Sequence, residues 1–114
     1  MAECIAKCSK GVEMMQGDSW PLEIRLTFGG AALDISKVET VEVSVDSLVK
    51  TFPAGGVLYD ENKGAFAFWP TQEESFKLSG PVKVQARVKF TDGLVLGKDF
   101  GTINIVESMS KEVL

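Results

Sequence analysis

Alternation of apolar and polar residues at every second position is the feature that most constrains the fold of this chain. From Val82 to Phe90 apolar side chains alternate with charged or amide side chains without interruption. Asp92-Gly93 then supplies a dipeptide that favours the positive φ of a tight hairpin turn, after which apolar residues return. Because successive strand side chains point to opposite faces, the pattern predicts a hairpin with one buried and one solvated face.

The same alternation recurs in shorter blocks that are separated by turn residues. It predicts one strand in Leu22–Phe28, one in Val38–Val49, and two short strands joined by a turn at Asp60–Gly64. Summed along the chain, this makes about seven or eight short strands with turns every 8–12 residues, which is typical of a β-sandwich. The sequence therefore predicts an all-β fold with antiparallel sheets.

Two places depart from the alternation. The segment 71–78 loses the period of two, and Thr71 followed by Glu74 has the spacing of a capping box, which predicts one short helical turn. Gly97 and Gly101 interrupt the last strand. Since glycine weakens a strand and often marks a bulge, a bulge or break is expected there.

At 114 residues the chain has the length of one domain that can bury a core without disulfides or a metal. We predict a flexible leader at 1–11, a sandwich domain at 12–108 and a tail at 109–114. A net charge of −4 opposes binding to nucleic acid, whose affinity comes largely from Lys and Arg contacts with phosphate. No apolar run approaches the ~20 residues of a membrane span, so membrane insertion is not expected.

The first residues lack the apolar stretch of about 7–15 residues that a secretory signal needs, which predicts a cytoplasmic product. The two cysteines, Cys4 and Cys8, lie four positions apart, and the chain has no histidine. A metal site within one chain would therefore lack ligands. Free thiols are the expected state, with an intermolecular disulfide or shared site as the alternative.

Catalysis finds little support in the residue types. The absence of histidine removes the commonest general base and the usual Ser or Cys nucleophile pairs. The adjacent carboxylates Asp60-Glu61 and Glu73-Glu74 fall in a predicted turn and a predicted helix start, where acidic residues serve local structure. No segment has the spacing of a phosphate loop or a calcium loop. We predict no enzyme activity, no cofactor and no metal.

Most of the aromatic residues are expected to fill the space between two sheets. Trp69 is the main exception, because Phe66 and Phe68 share one face of their strand and leave Trp69 on the face of Ala67. An exposed Trp beside small residues is a candidate contact anchor. Trp20 and Phe100 are the other candidate interface residues.

Two stretches, "MQGDSWPLEIRLTFGGAALDIS" and "KGAFAFWPTQEESFKLSGPVKVQARVKFTDGLVLGKDFGTINIVES", are similar to a known family. They resemble, over Val12–Ser108, the N-terminal domain of phage baseplate upper proteins and related prophage tail components. The matching motifs are Gln16–Ser19 followed by Pro21 and Leu22, Gly30–Ser36, Gly64–Gly93 and Ile103–Val106.

The resemblance implies an immunoglobulin-like β-sandwich that works as a structural or adaptor module of a virion tail, with no enzyme activity. It implies other tail or baseplate subunits as partners, and a homo-oligomer or ring as the form in which the domain is held. Such a protein would be made in the bacterial cytoplasm and assembled into the tail. The alternative function is a carbohydrate-binding or host-surface adhesion module, which predicts a row of exposed aromatic side chains on one sheet face.

Overall fold

The computed structural model describes residues 4–8, 13–19, 22–28 and 31–114, which form two five-stranded sheets around one core. One α-helix, α1 (Gln72–Phe76), and one 3₁₀ turn (Ile35–Lys37) accompany them, and no helix in these ranges is long and apolar enough to span a membrane. The strands are β1 Cys4–Cys8, β2 Glu13–Met15, β3 Leu22–Phe28, β4 Ala31–Ala32, β5 Val38–Val45, β6 Leu48–Phe52, β7 Val57–Asp60, β8 Ala65–Phe68, β9 Gly80–Phe90 and β10 Val95–Val106.

The order of the strands is that of an immunoglobulin domain. One sheet has the order β1-β3-β8-β7 with β4 beside β3, and the other has the order β2-β10-β9-β5-β6. If β1, β3, β5, β7, β8, β9 and β10 are lettered A to G in chain order, these are the A-B-E-D and G-F-C arrangements of that fold. Every pair is antiparallel except β2 with β10. The predicted all-β sandwich is thus confirmed.

The core forms where the inward side chains of the two sheets meet. Along β9 burial alternates strictly, so that Val82, Val84, Ala86 and Val88 are buried between exposed neighbours. Phe66 on β8 contributes one of the two largest fully buried side chains, the other being Phe68. Tyr59, Phe90 and Phe100 are half-buried against this cluster. Apolar packing holds the two sheets together, as the alternation predicts.

The closing hairpin and its bulge are confirmed. β9 and β10 pair from Val95 opposite Lys89 onward, and the register shifts between Asp99 and Thr102. Gly101 has a φ of +84° at this point, and its N–H donates to Asp99 Oδ1 at 2.8 Å. A positive φ is readily adopted only by glycine, which explains why the strand interruption falls here.

The region after Val41 differs from the single predicted strand. β5 ends at Val45, Asp46 and Ser47 form a tight turn, and β6 returns antiparallel to β5. Asp46 has a φ of +54°, and its N–H donates to Lys83 O on β9 at 2.9 Å. Because Asp tolerates left-handed geometry without a glycine beside it, the turn carried no strong signal in the sequence.

The predicted flexible leader also differs from the structure over part of its length. Cys4–Cys8 forms strand β1, which pairs antiparallel with β3 from Cys4 opposite Phe28 to Cys8 opposite Ile24. Main-chain pairing to an existing strand needs no apolar alternation, so the sequence pattern did not predict it. The rest of the leader lies outside the described residues, and the domain boundaries stay predictions.

Candidate functional site

Trp69 follows the last residue of β8 and lies on the rim of an open groove of about 630 Å³. Its side chain is 42% exposed, whereas Phe68 beside it is buried. The groove is lined by Ser19, by Val113 and Leu114, and by Trp69, Pro70 and the first turn of α1, which together we call the groove wall. The volume is within the range of ligand and peptide pockets. The predicted exposure of Trp69 is confirmed.

A capping box fixes the chain directly after Trp69-Pro70. Thr71 Oγ1 accepts the N–H of Glu74 at 3.1 Å, and Glu74 Oε1 accepts the N–H of Thr71 at 2.9 Å. The predicted helical turn and its cap are confirmed. Ser19 Oγ donates to Pro70 O at 3.1 Å, which holds the peptide after Trp69 from the other side. The indole is therefore attached to backbone that is fixed on both sides.

An ion pair connects the cap to the second sheet. Lys50 on β6 places its Nζ 2.9 Å from Glu74 Oε1 and 5.8 Å from the centroid of the Phe68 ring. The backbone N–H of Thr71, and then Lys50, hold the pKa of Glu74 below its ordinary value, since both favour the charged carboxylate. Glu74 thus connects α1, which follows β8 of the first sheet, to Lys50 on β6 of the second sheet.

Gln16 forms a buried polar junction at the same end of the sandwich. Its Nε2 donates to Leu78 O at 2.7 Å and to Phe76 O at 3.3 Å, which satisfies the carbonyl of the last residue of α1 and one just after it. Its Oε1 accepts the N–H of Ser108 at 3.2 Å and Lys111 Nζ at 2.6 Å. One side chain therefore joins the end of β2, the end of α1 and the segment after β10.

Gly17 allows the Gln16 turn to lie against the helix. It has a φ of +86°, and a Cβ built on it would lie 2.6 Å from Cζ of Phe76. Asp18 closes the turn, because its Oδ2 accepts the N–H of Met15 at 2.9 Å. Both the backbone geometry and the close ring require a residue without a side chain at position 17.

The other two candidate interface residues do not join the groove in the part of the chain that the structure describes. Trp20 lies outside the described residues. Phe100 is half-buried against the core from β10 and is not among the side chains lining the groove. Of the candidate interface residues that the structure describes, only Trp69 lines the groove.

The carboxylates act locally. Asp60 Oδ1 accepts the N–H of Asn62 at 2.9 Å within the β7–β8 turn, and Glu74 caps α1. Hydrogen bonds from Ser36 to Asp34 and from the N–H of Gly101 to Asp99 lower the pKa of each carboxylate. Among the described residues, no group of three or more His, Cys, Asp or Glu side chains is placed to hold a metal ion.

Sequence reasoning missed the Gln16 junction. The stretch Gln16–Ser19 stood out only as a motif of the resemblance, because the partners of Gln16 lie 60 to 95 positions away. The groove was missed for the same reason, since the lining residues at 69–73 and at 113–114 are 40 positions apart in the chain. In comparisons with known proteins, no family model, no curated protein and no solved structure matches the chain.

Proposed function

We propose that this chain is a non-enzymatic structural module of a phage or prophage tail or baseplate, acting as an assembly or adaptor piece through protein contacts. The observation that carries the proposal is the exposed Trp69 on the rim of a groove whose wall is held by both sheets. The order of motifs that resembles baseplate upper proteins supplies the setting. In this setting the chain is made in the bacterial cytoplasm and joins the virion tail.

Trp69 has the properties of a contact anchor. Interface hot spots are enriched in Trp, and they lie where a large side chain can be fully desolvated by the partner. Here the indole is 42% exposed beside a groove, while the adjoining backbone is fixed by the Thr71 cap and by Ser19. A rigid anchor loses little conformational entropy on binding, which favours docking to a neighbouring subunit.

The alternative, a carbohydrate-binding or adhesion module, requires a platform of exposed aromatic rings. Of the aromatic side chains that the structure describes, Trp69 alone is exposed, and the others are buried or half-buried. The outer face of the second sheet carries charged pairs instead, such as Arg87 with Glu42 at 2.8 Å. These observations favour protein contact over glycan stacking.

Incorporation into tail particles tests the proposal. The tagged chain is expressed in a lysogenic culture that encodes it, tails are isolated on a density gradient, and the chain is quantified by mass spectrometry. We expect co-sedimentation with tails, and a loss of about tenfold for Trp69→Ala, as for an interface hot spot. Leu94→Ala is the matched control, because Leu94 is 44% exposed at the opposite end of the sandwich.

For the control variant we expect wild-type incorporation. If tails form and the wild-type chain stays in the unassembled fraction, the proposed function is wrong. If both variants incorporate like the wild type, the chain is a tail component but Trp69 is not its anchor.

A further inference from the structure

We infer that two lysines, Lys50 on β6 and Lys98 on β10, prevent the open edges of the second sheet from pairing with strands of other copies of the chain. We call them the edge lysines. The inference does not rest on the proposed function. It gives the two residues a role in controlling assembly, because contacts that extend this sheet are excluded and other surfaces must supply the contacts with partners.

The second sheet has an open edge on each side in the part of the chain that the structure describes. β6 is the outermost strand on one side. On the other side, β2 pairs only with Asn104–Val106 of β10, so the stretch from Val95 to Ile103 has a partner strand, β9, on one side only. The free N–H and C=O groups of such an edge are a template for pairing with another chain.

Both open edges carry the same sequence pattern, Leu-x-Lys-x-Phe. It reads LVKTF at 48–52 and LGKDF at 96–100. Lys50 lies opposite Val43 and Lys98 opposite Ala86, and both of these partners are buried. Directly opposite residues share one face of a sheet, so both lysines start from the face that packs on the core. Both are half-buried, whereas Lys83 on the outer face of β9 is exposed.

Lys98 illustrates why an inward lysine keeps an edge unpaired. It makes no ion pair with any residue that the structure describes, so water solvates its ammonium group. From the core face, a long side chain reaches water by passing around the open edge of its own strand. A second strand on that edge would cover this route and leave a buried charge without a partner, which is strongly unfavourable.

The bulge beside Lys98 acts in the same direction. The register of β10 shifts between Asp99 and Thr102, which interrupts the ladder of hydrogen bonds directly after the lysine. Inward charges and bulges are both features by which natural sheets keep their edges unpaired. Two such features therefore lie next to each other on the open edge of β10.

Lys50 protects the edge of β6 less strongly. Its Nζ lies 2.9 Å from Glu74 Oε1, and its side chain is only 18% exposed. A strand added to β6 would remove this ion pair from the water that it still contacts, and desolvation of an ion pair opposes burial. Because the carboxylate of Glu74 compensates part of that cost, we expect a larger effect from Lys98.

Light scattering behind size-exclusion chromatography, over a concentration series with reductant present, tests the inference on the purified whole chain. Lys98→Met retains the length of the side chain and removes its charge. We expect its dissociation constant for self-association to lie at least about tenfold below that of the wild type, or below the bound that a monomeric wild type sets. Lys98→Arg should behave like the wild type, because the guanidinium group is always charged.

Lys83→Met is the matched control for Lys98→Met. It causes the same loss of charge, but Lys83 lies on β9, which has partner strands on both sides. We expect it to associate no more than the wild type does. Hydrogen exchange at low and high concentration locates the contact, and new protection is expected at the amides of residues 95–99 in Lys98→Met. Circular dichroism checks that each variant is folded.

A second pair of variants tests the edge of β6. Lys50→Met should self-associate, with new protection at residues 48–52. Glu74→Gln breaks the same ion pair but retains the lysine, so it should stay like the wild type. If both variants associate, loss of the ion pair is the cause, and the inference is wrong for this edge.

The inference as a whole would be overturned if Lys98→Met and Lys50→Met associate no more than the wild type. It would also be overturned if Lys83→Met associates as strongly as Lys98→Met, or if the wild type itself gains protection at 48–52 or 95–99 at high concentration. These outcomes are distinct from failure of the proposed function. A wild-type chain that never enters tail particles would contradict only the tail function.

Discussion

The two ends of the sandwich are closed by different kinds of contact. At the hairpin end, Asp92 Oδ1 accepts the N–H of Leu94 two residues further on at 3.0 Å, and Phe90 N–H donates to Leu94 O at 2.8 Å. At the helix end, Gln16 bonds to Leu78, 62 positions away, and to Lys111, 95 positions away. One end is closed by its own turn, while the other is assembled from three distant segments.

The difference matters for function because the candidate groove lies at the assembled end. The segment directly after Trp69 is held by contacts among Thr71 and Glu74 of the α1 cap and Lys50 of β6. Contacts of long sequence separation form only when the whole domain is folded, so the groove exists only in the native state. The turn at the hairpin end is closed instead by hydrogen bonds between residues two to four positions apart. Four substitutions with matched controls test this contrast, from the largest expected effect to the smallest.

The largest difference in stability is expected between substitutions of two glycines that have similar backbone geometry. Gly17 has a φ of +86° and Gly93 a φ of +92°, but only at Gly17 would a Cβ meet another residue, the Phe76 ring. We expect Gly93→Ala to cost roughly 1–2 kcal/mol from left-handed geometry. Gly17→Ala should cost roughly 2–5 kcal/mol, because overpacking adds to that strain. Urea denaturation measures the free energy of unfolding of both variants, and an m-value equal to that of the wild type shows that the change is one of stability.

A double-mutant cycle assigns the extra cost of Gly17→Ala. In a Phe76→Ala background the ring is absent, so Gly17→Ala should cost no more than Gly93→Ala does in the wild type. If the cost of Gly17→Ala stays the same without the ring, the close contact between Gly17 and Phe76 does not matter for stability.

The Gln16 junction should be the next most sensitive feature. Gln16→Ala leaves the carbonyls of Phe76 and Leu78 without a donor, and Leu78 is buried, so we expect a loss of about 2–3 kcal/mol. Gln16→Glu retains an acceptor for Lys111 but cannot donate to either carbonyl, so it should be nearly as destabilising. Asp92→Ala at the hairpin end should cost about 0.5–1 kcal/mol, as for a single exposed hydrogen bond.

Equal losses for Gln16→Ala and Asp92→Ala would contradict the contrast between the two ends. A small effect of Gln16→Glu would show that the acceptor side of Gln16, toward Ser108 and Lys111, matters more than the donor side. Denaturation midpoints and hydrogen exchange at α1 distinguish these outcomes.

The same contrast explains what could be predicted from the sequence. The β9–β10 hairpin, its Gly101 bulge and the Thr71 cap were predicted correctly because each depends on residues within a few positions of one another. Strand β1 was missed because it is held by main-chain pairing to β3, and the turn at Asp46 because no glycine marks it.

The candidate site was predicted only in part, for a related reason. Trp69 continues the alternation of β8 on the side opposite Phe66 and Phe68, which predicted its exposure, although Ala65 on the same side is buried. The groove needs Val113 and Leu114 beside Trp69, and no periodicity in a single sequence connects residues that far apart. Local order is encoded in propensities, whereas the site arises from packing of the whole domain.

The helix cap offers a smaller and more local test. Thr71→Ala removes the Oγ1 acceptor for the N–H of Glu74, and we expect a loss of about 1 kcal/mol. Thr91→Ala in the hairpin turn is the control. Thr91 donates only its backbone N–H, to Lys37 O, so its side chain should contribute less than about 0.5 kcal/mol. Equal effects in thermal denaturation would show that the cap does not stabilise α1.

The smallest expected effect depends on pH and comes from Glu74. Its pKa is lower in the folded chain than its ordinary value, so folding favours the charged form. This stabilisation is present above the ordinary value of 4.5 and is lost as pH falls through the folded pKa. Glu74→Gln should therefore cost less than about 1 kcal/mol at neutral pH, a cost that shrinks toward zero as pH falls through the folded pKa.

Glu61→Gln, in the exposed turn between β7 and β8, is the matched control and should change the free energy of unfolding by less than about 0.5 kcal/mol. Asp34 and Asp99 also have lowered pKa values, but their contribution is the same in the wild type and in both variants and cancels in the difference. Urea denaturation of the three proteins from pH 7 to pH 3 gives the comparison. If the wild type and Glu74→Gln differ equally at every pH, the ion pair with Lys50 does not hold the cap, and the groove wall depends on the neutral hydrogen bonds of Thr71 and Ser19 alone.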